Sequence, residues 1–357
     1  MTRVEGEPRI NLGELALAAR NHAMPLEALR YPITPVGLHY LLIHYDIPLV
    51  DEATYRLEMD GLVGTPLSLS LDDLRARPAV ETTVTMECAG NGRALLEPHV
   101  SSQPWLQEAV GTAVWRGTPL RGLLSEAAVS DDAVELVFTG LDNGVEGGIE
   151  QAYQRSLSLM DAHRAEVLLA YEMNGEPLLP QHGFPLRLLV PGWYGMTSVK
   201  WLGRISAVDR PFEGYQQAQS YRLRQVEDEP GEAVSRMRPR ALMAPPGVPE
   251  FSTRVRLLAP GECLLEGRAW SGLGEIESVA VSTDGGRSWE AAELEDDLGS
   301  PWAWRRWTFE WDAEPGEHEL CCRARDAAGN EQPLEPEWNL GGYVNNAVQR
   351  VSVTVSG

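Results

Sequence analysis

A chain of 357 residues with 43% hydrophobic and 23% charged residues has the composition of a globular protein large enough for two domains. Its formal net charge of −22 excludes nucleic acid and anionic membrane surfaces as partners, yet leaves room for a small anion wherever the few cations cluster. The four cysteines, Cys88, Cys263, Cys321 and Cys322, are too few for a disulfide scaffold at this length.

Residues 1–35 read as an N-terminal arm that ends in the extended text Tyr31-Pro32-Ile33-Thr34-Pro35. The opening MTRVEGEPRI carries neither an apolar signal core nor a twin-arginine pattern, so the expectation is a soluble cytoplasmic protein. No apolar run reaches the length of a membrane span. Residues 36–240 alternate short apolar runs with Gly/Pro turns. Strands are expected at Tyr55–Leu62, Val80–Met86, Val134–Thr139 and Leu186–Val190, and short helices at Leu120–Ala128 and Leu157–Asp161. This is an α+β pattern. Residues 223–250, which contain Glu227-Asp228-Glu229-Pro230-Gly231 and Ala244-Pro245-Pro246-Gly247, read as a linker leading into a second domain at 241–357. There, short alternating strands separated by turns such as Thr283-Asp284-Gly285-Gly286 predict an immunoglobulin-like β-sandwich. Its many tryptophans read as core and interface material.

Two segments carry chemistry. In the first, Met86-Glu87-Cys88-Ala89-Gly90-Asn91-Gly92-Arg93, a thiol stands where a strand meets a Gly-rich turn, with an arginine close behind. A nucleophile, a soft metal ligand and a buried packing cysteine are all compatible with those eight residues. The second segment runs from Ala165 to Ile205 and presents Gln181-His182-Gly183, then Arg187 inside an apolar strand, then Ser198-Val199-Lys200. A charged residue in such a strand must face solvent or find an anion. His182, Arg187 and Lys200 are therefore either a cage for a phosphorylated cofactor or three independent surface and cap residues. There is no G-x-G-x-x-G opening a helix and no Walker loop.

Taken together, the Cys-Ala-Gly-Asn turn and the downstream LAYEMNG…HGFPLR…VPG…SVKW text resemble the sulfite oxidase family of molybdenum enzymes, in its haem-free form. The resemblance extends over roughly residues 35–357 and includes the AWSG…STDGG…SW text of a C-terminal immunoglobulin-like dimerisation domain. It implies a mixed α/β molybdopterin-binding domain followed by that sandwich, a molybdenum–molybdopterin cofactor, a homodimer and a small anionic substrate. Cys88 is implied as the molybdenum ligand. The positions implied to hold the pterin and its phosphate are Tyr40, His44, Asp142, His182, Arg187, Ser198, Val199 and Lys200. Arg93 is implied beside the metal, and Tyr221 near the reacting oxygen. The chain shows no b-type haem domain and no C-x-x-C-H haem site, so electrons are expected to pass to a separate carrier, a cytochrome or another acceptor.

The substrate side departs from the family pattern. Leu42 stands two residues before His44, where the family carries a substrate arginine, and Glu275 follows the AWSG-type turn where another is expected; Arg93 and Arg116 remain. Sulfite oxidation is the leading expectation, with reduction of a sulfoxide or nitrate as the alternative. A thiol phosphatase loop needs five residues between cysteine and arginine, and Cys88 and Arg93 have four. A non-catalytic binding protein built on the sandwich is the other rival, and the retained His182, Arg187 and Lys200 argue against it.

Overall fold

The computed structural model describes residues 10–357. The first nine residues of the expected arm lie outside that range. The remainder of the arm is not simply extended: Leu12–Arg20 is an α-helix, started by a capping box in which Asn11 and Glu14 bond each other's backbone N–H groups. The signal for this helix was present in the sequence as Asn11 followed three residues later by Glu14.

Two sheets build the first part of the chain. Strands β1 (Leu57–Gly61), β2 (Leu67–Leu69), β3 (Val80–Glu87), β4 (Val110–Pro119), β5 (Glu135–Glu146), β6 (Ile149–Ser158), β7 (Leu168–Met173), β8 (Glu176–Pro177), β9 (Arg187–Leu189) and β10 (Leu202–Val208) follow in chain order. One sheet has the order β2-β1-β10-β5-β6; the other is β3-β4-β7-β8, with β9 also paired to β7. A core of Leu57, Leu120, Phe138, Leu169, Leu186, Leu202 and Ile205 closes between them. The helix at Leu120–Glu126 lies where its apolar spacing predicts. The expected helix at Leu157–Asp161 is displaced instead: β6 runs on to Ser158 before Leu159–Ala162 turns helical, because Ser158 caps the Asp161 N–H.

The segment read as a linker contains a strand, Arg240–Ala244, buried along its whole length. Short, Pro-flanked text hides it, since a fully buried strand shows no alternation. It pairs with Gly261–Trp270, which pairs in turn with Arg305–Ala313. The opposing sheet is built on Ile276–Ser282, Gly316–Asp326 and Gln349–Val355. Met243, Leu265, Trp307, Val281, Leu320 and Val353 fill the space between the two sheets. Trp270 and Trp304 instead join Met24, Leu29 and Tyr194 in a core shared by the sandwich and the first part of the chain.

A buried ion pair ties these parts together next to the Cys88 loop. Arg240 Nη1 lies 2.8 Å from Glu87 Oε1, with both side chains 1% exposed. Trp270 Nε1 donates to the other carboxylate oxygen at 2.9 Å. Removing one partner of a buried pair strands the other charge, so Arg240→Met is expected to cost about 3–5 kcal/mol of stability. Urea unfolding measures this; a loss below about 1 kcal/mol would show that the pair does not hold the two parts together.

Candidate active site: a cationic cleft around Cys88

Cys88 follows the last residue of β3. Its backbone N–H donates to Ala109 O at 2.9 Å, and its carbonyl accepts the Asn91 N–H at 3.0 Å, closing the turn. Asn91 fixes the loop from the inside. Its amide donates to Glu87 Oε1 and Gln107 O at 3.0 and 3.1 Å, and its Oδ1 accepts the Ala109 N–H. Gly90 packs closely on Arg93: a Cβ there would lie 2.7 Å from the guanidinium and force that side chain to shift. The turn thus sets a buried thiol against a tightly packed arginine.

The second segment comes to the same place because β9 pairs with β7 and the chain after it folds back. Gly183, with φ +106, ends the short turn carrying His182, and a Cβ there would press on Lys200 and Arg187. Arg187 donates from Nη1 to His182 O and from Nη2 to Ser198 O, both at 3.1 Å. Lys200 Nζ donates to Leu42 O at 2.6 Å. The three cationic-type residues are therefore neighbours in one cleft, not separate surface residues.

One cleft gathers these residues. Tyr40, His44, Cys88 and Asp142 line it, as do His182, Arg187, Ser198, Lys200 and Tyr221. Two of the expected residues do not. The Val199 side chain packs into the core behind the cleft, and its carbonyl accepts the Leu188 N–H. Arg93 sits behind the Cys88 turn, donating from Nε to Gly341 O and from Nη1 to Gln103 O, with its guanidinium 5.0 Å from the Tyr343 ring centroid.

Two further expectations are corrected. Arg116 projects from β4 to a half-exposed ion pair with Glu172 at 3.8 Å, away from the cleft. Glu275 lines a separate small pocket with Trp270, Asp297 and Arg305, where its carbonyl accepts the Ala327 N–H. An acid there does not alter the charge around Cys88. Leu42 does line the cleft, so the absence of a cation at that position is real.

Burial governs the electrostatics. It pushes Lys200 down to about 7, helped by Arg187, and Asp142 up to about 6. His44 and His182 are pushed down to about 3, first by burial and then by neighbouring charges such as Lys200, Arg155 and Arg93 around His44 and His39, Arg187 and Lys200 around His182. Both rings are therefore neutral near pH 7. Burial also raises the Cys88 thiol; the Gly90 N–H and Arg93 oppose this without overcoming it. That is the wrong setting for a free thiolate nucleophile of the phosphatase kind.

Sequence reasoning found His44 and Tyr221 but missed two residues packed against Tyr221, Tyr343 and Arg155. His44 Nε2 and the Tyr221 hydroxyl lie 2.5 Å apart, and Tyr221 holds a left-handed φ of +44, a backbone cost that the surrounding packing must offset. The Tyr221 ring packs against Tyr343 at 5.0 Å and under the buried Arg155 at 5.5 Å. Tyr343 and Arg155 stand alone in unremarkable text, so only the three-dimensional contacts single them out.

These residues fit a phosphorylated pterin with a thiolate-bound metal. Arg187 and Lys200 have carbonyl oxygens as partners and Arg187 Nε has none, while Asp142 Oδ1 is a buried acceptor without a donor. Buried groups of this kind require a ligand that supplies the complementary charges and donors. Among the described residues no group of three His, Cys, Asp or Glu side chains could hold a metal alone, in keeping with a donor set of one protein thiol, the rest coming from the cofactor. No helix among the described residues is long and apolar enough to cross a membrane.

Comparison with known proteins agrees with this chemistry. Residues 44–216 match the oxidoreductase molybdopterin binding domain, and residues 247–356 match the Mo-co oxidoreductase dimerisation domain. Mitochondrial sulfite oxidase of Mus musculus is 39% identical over 346 residues, covering 90% of this chain and 62% of that protein. Sulfite oxidase of Gallus gallus is 38% identical over 338 residues, covering 89% and 72%. A nitrate reductase of Hordeum vulgare is 34% identical over 353 residues, covering 90% of this chain but 39% of the relative. The chain thus spans 62% of the length of the mammalian sulfite oxidases that it matches. Among solved structures, the sulfane dehydrogenase SoxCD of Paracoccus pantotrophus superposes with a TM-score of 0.81 at 28% identity, covering 99% of this chain and 90% of that one. The chain belongs to the sulfite oxidase family of molybdopterin-binding oxidoreductases.

Proposed function

We propose that this chain is a molybdenum-dependent oxidoreductase that oxidises sulfite to sulfate and passes the electrons to a separate carrier, a cytochrome or another acceptor. The observation that carries this reading is the cleft itself: a buried thiol at one end, and at the other two cations, Arg187 and Lys200, held by carbonyl oxygens and, for Arg187, the Met86 sulfur, with no carboxylate on either. Similarity to sulfite oxidases at 38–39% identity supports the substrate. When bound, the molybdenum–pterin group supplies oxygen-atom transfer with uptake of two electrons. Cys88 is its thiolate anchor. Arg187 and Lys200 neutralise the cofactor phosphate, and Tyr40, His44, Asp142, His182 and Ser198 offer the pterin hydrogen-bonding edges. Val199 supports the cleft from behind, where its carbonyl accepts the Leu188 N–H. Arg93, behind the Cys88 turn, brings positive charge to the thiol side, where it attracts an anion. The Tyr221 hydroxyl shares its hydrogen bond with a neutral His44, so a proton at the phenol oxygen has an acceptor at Nε2. The match of residues 247–356 to a dimerisation domain supports a homodimer.

Reduction of nitrate or a sulfoxide is the second reading, favoured by the uncharged Leu42 on the cleft and by similarity to plant nitrate reductases. Steady-state assays separate the two. Turnover is expected with sulfite and an artificial electron acceptor, and none above background with nitrate or a sulfoxide and a reduced dye. The opposite pattern would reverse the assignment.

A further inference from the structure

Arg155 lies on β6 and is 2% exposed, yet its charge is not met. One nitrogen, Nη1, donates to the Gln216 carbonyl, and Nε is buried without a partner. No carboxylate forms an ion pair with it among the described residues. An arginine offers five N–H donors, and a buried guanidinium served by a single carbonyl is costly unless an anion completes it. Its position is specific. The guanidinium stands 5.5 Å from the Tyr221 ring centroid, Tyr221 packs on Tyr343 at 5.0 Å, and Arg93 stands 5.0 Å from the Tyr343 ring. Two buried cations without carboxylates thus bracket the tyrosine pair, and the Tyr221 hydroxyl faces the cleft holding Cys88. Both guanidinium groups act on His44, helping to keep it neutral.

We propose that Arg155 is a second cation of the substrate site, placed across the tyrosine pair from Arg93, and that the site takes a small doubly charged oxyanion. This rests on the oxidoreductase reading above and narrows it: two uncompensated cations favour a dianion over a neutral sulfoxide or the singly charged nitrate. Arg155 contributes binding, not chemistry, so its loss raises KM more than it lowers kcat.

The test uses the molybdenum-loaded enzyme and its Arg155→Gln and Arg155→Lys variants. Molybdenum content, KM for sulfite and competitive inhibition by sulfate are measured side by side. With molybdenum content unchanged, Arg155→Gln is expected to raise KM and the sulfate inhibition constant by about 10- to 100-fold, the range for losing one charge-assisted contact. Arg155→Lys recovers most of that loss. A fully loaded Arg155→Gln enzyme with both constants within about twofold of wild type overturns the assignment of Arg155 while leaving the oxidoreductase reading intact. A wild-type enzyme that carries molybdenum but does not oxidise sulfite overturns the reading on which it rests. Crystals of the wild-type enzyme soaked in selenate give the same answer without a variant. An anomalous selenium peak within hydrogen-bond distance of Arg155 supports the proposal; a peak held by Arg93 alone, or no peak at the site, contradicts it.

Discussion

Cys88→Ser is expected to lower turnover by more than about 100-fold while the protein stays folded. Loss of a group that merely supports a metal ligand costs 10- to 100-fold in affinity or activity, so loss of the ligand itself must exceed that. The folded state is spared because the ties of Cys88 to its surroundings are the backbone bonds to Ala109 and Asn91, which serine retains. Its side chain is nearly isosteric, and the loop is held by Asn91, Glu87 and Arg240. Thermal unfolding within a few degrees of wild type, alongside the lost turnover, is the predicted pair of results. Near-normal turnover by Cys88→Ser would remove the thiol from the mechanism.

Lys200→Met is expected to act in opposite directions on cofactor retention and on the stability of the cofactor-free protein. In the folded cofactor-free chain, burial holds Lys200 near 7, against 10.5 for an ordinary lysine. Between those values the unfolded chain binds the extra proton, so stability rises with pH across that window and the penalty is complete below about pH 7. Methionine removes the penalty. The cofactor-free variant should therefore unfold at a higher temperature than cofactor-free wild type at pH 7, and should lack the rise toward pH 10. Retention of the anionic cofactor should fall by about 10- to 100-fold with the loss of one charge-assisted contact. Thermal scans across pH and release of bound pterin measure the two effects. A variant that loses stability while keeping its cofactor would show that Lys200 is a structural residue. Function placed against stability in this way is expected of groups buried to meet a ligand.

The elements most legible in the sequence were those in which local pattern and packing agree. Val80–Glu87 runs into a Gly-Asn-Gly turn, and the sandwich strands alternate between clear turns, because one face of each is buried and a shift of register would expose it. Arg187 was legible for a different reason: a charge in an apolar strand demands a partner. Arg240–Ala244 was not, since a strand buried on both sides looks like apolar linker text. The helix at Leu12–Arg20 announces itself only through the Asn11 and Glu14 cap, since its exposed Leu12 and Leu15 give no inward face to detect. Glu275 was misplaced because a turn motif does not reveal which way its neighbours point. Arg155 and Tyr343 lie 188 positions apart in the sequence and acquire meaning only when the chain brings both against Tyr221.

The central claim is that the cleft around Cys88 holds a pterin-bound molybdenum. Elemental analysis of the chain purified from a host that makes the cofactor tests it most directly. The account predicts about one molybdenum per chain, through the single thiol that the cleft provides. Folded protein from the same host with molybdenum near zero would contradict it.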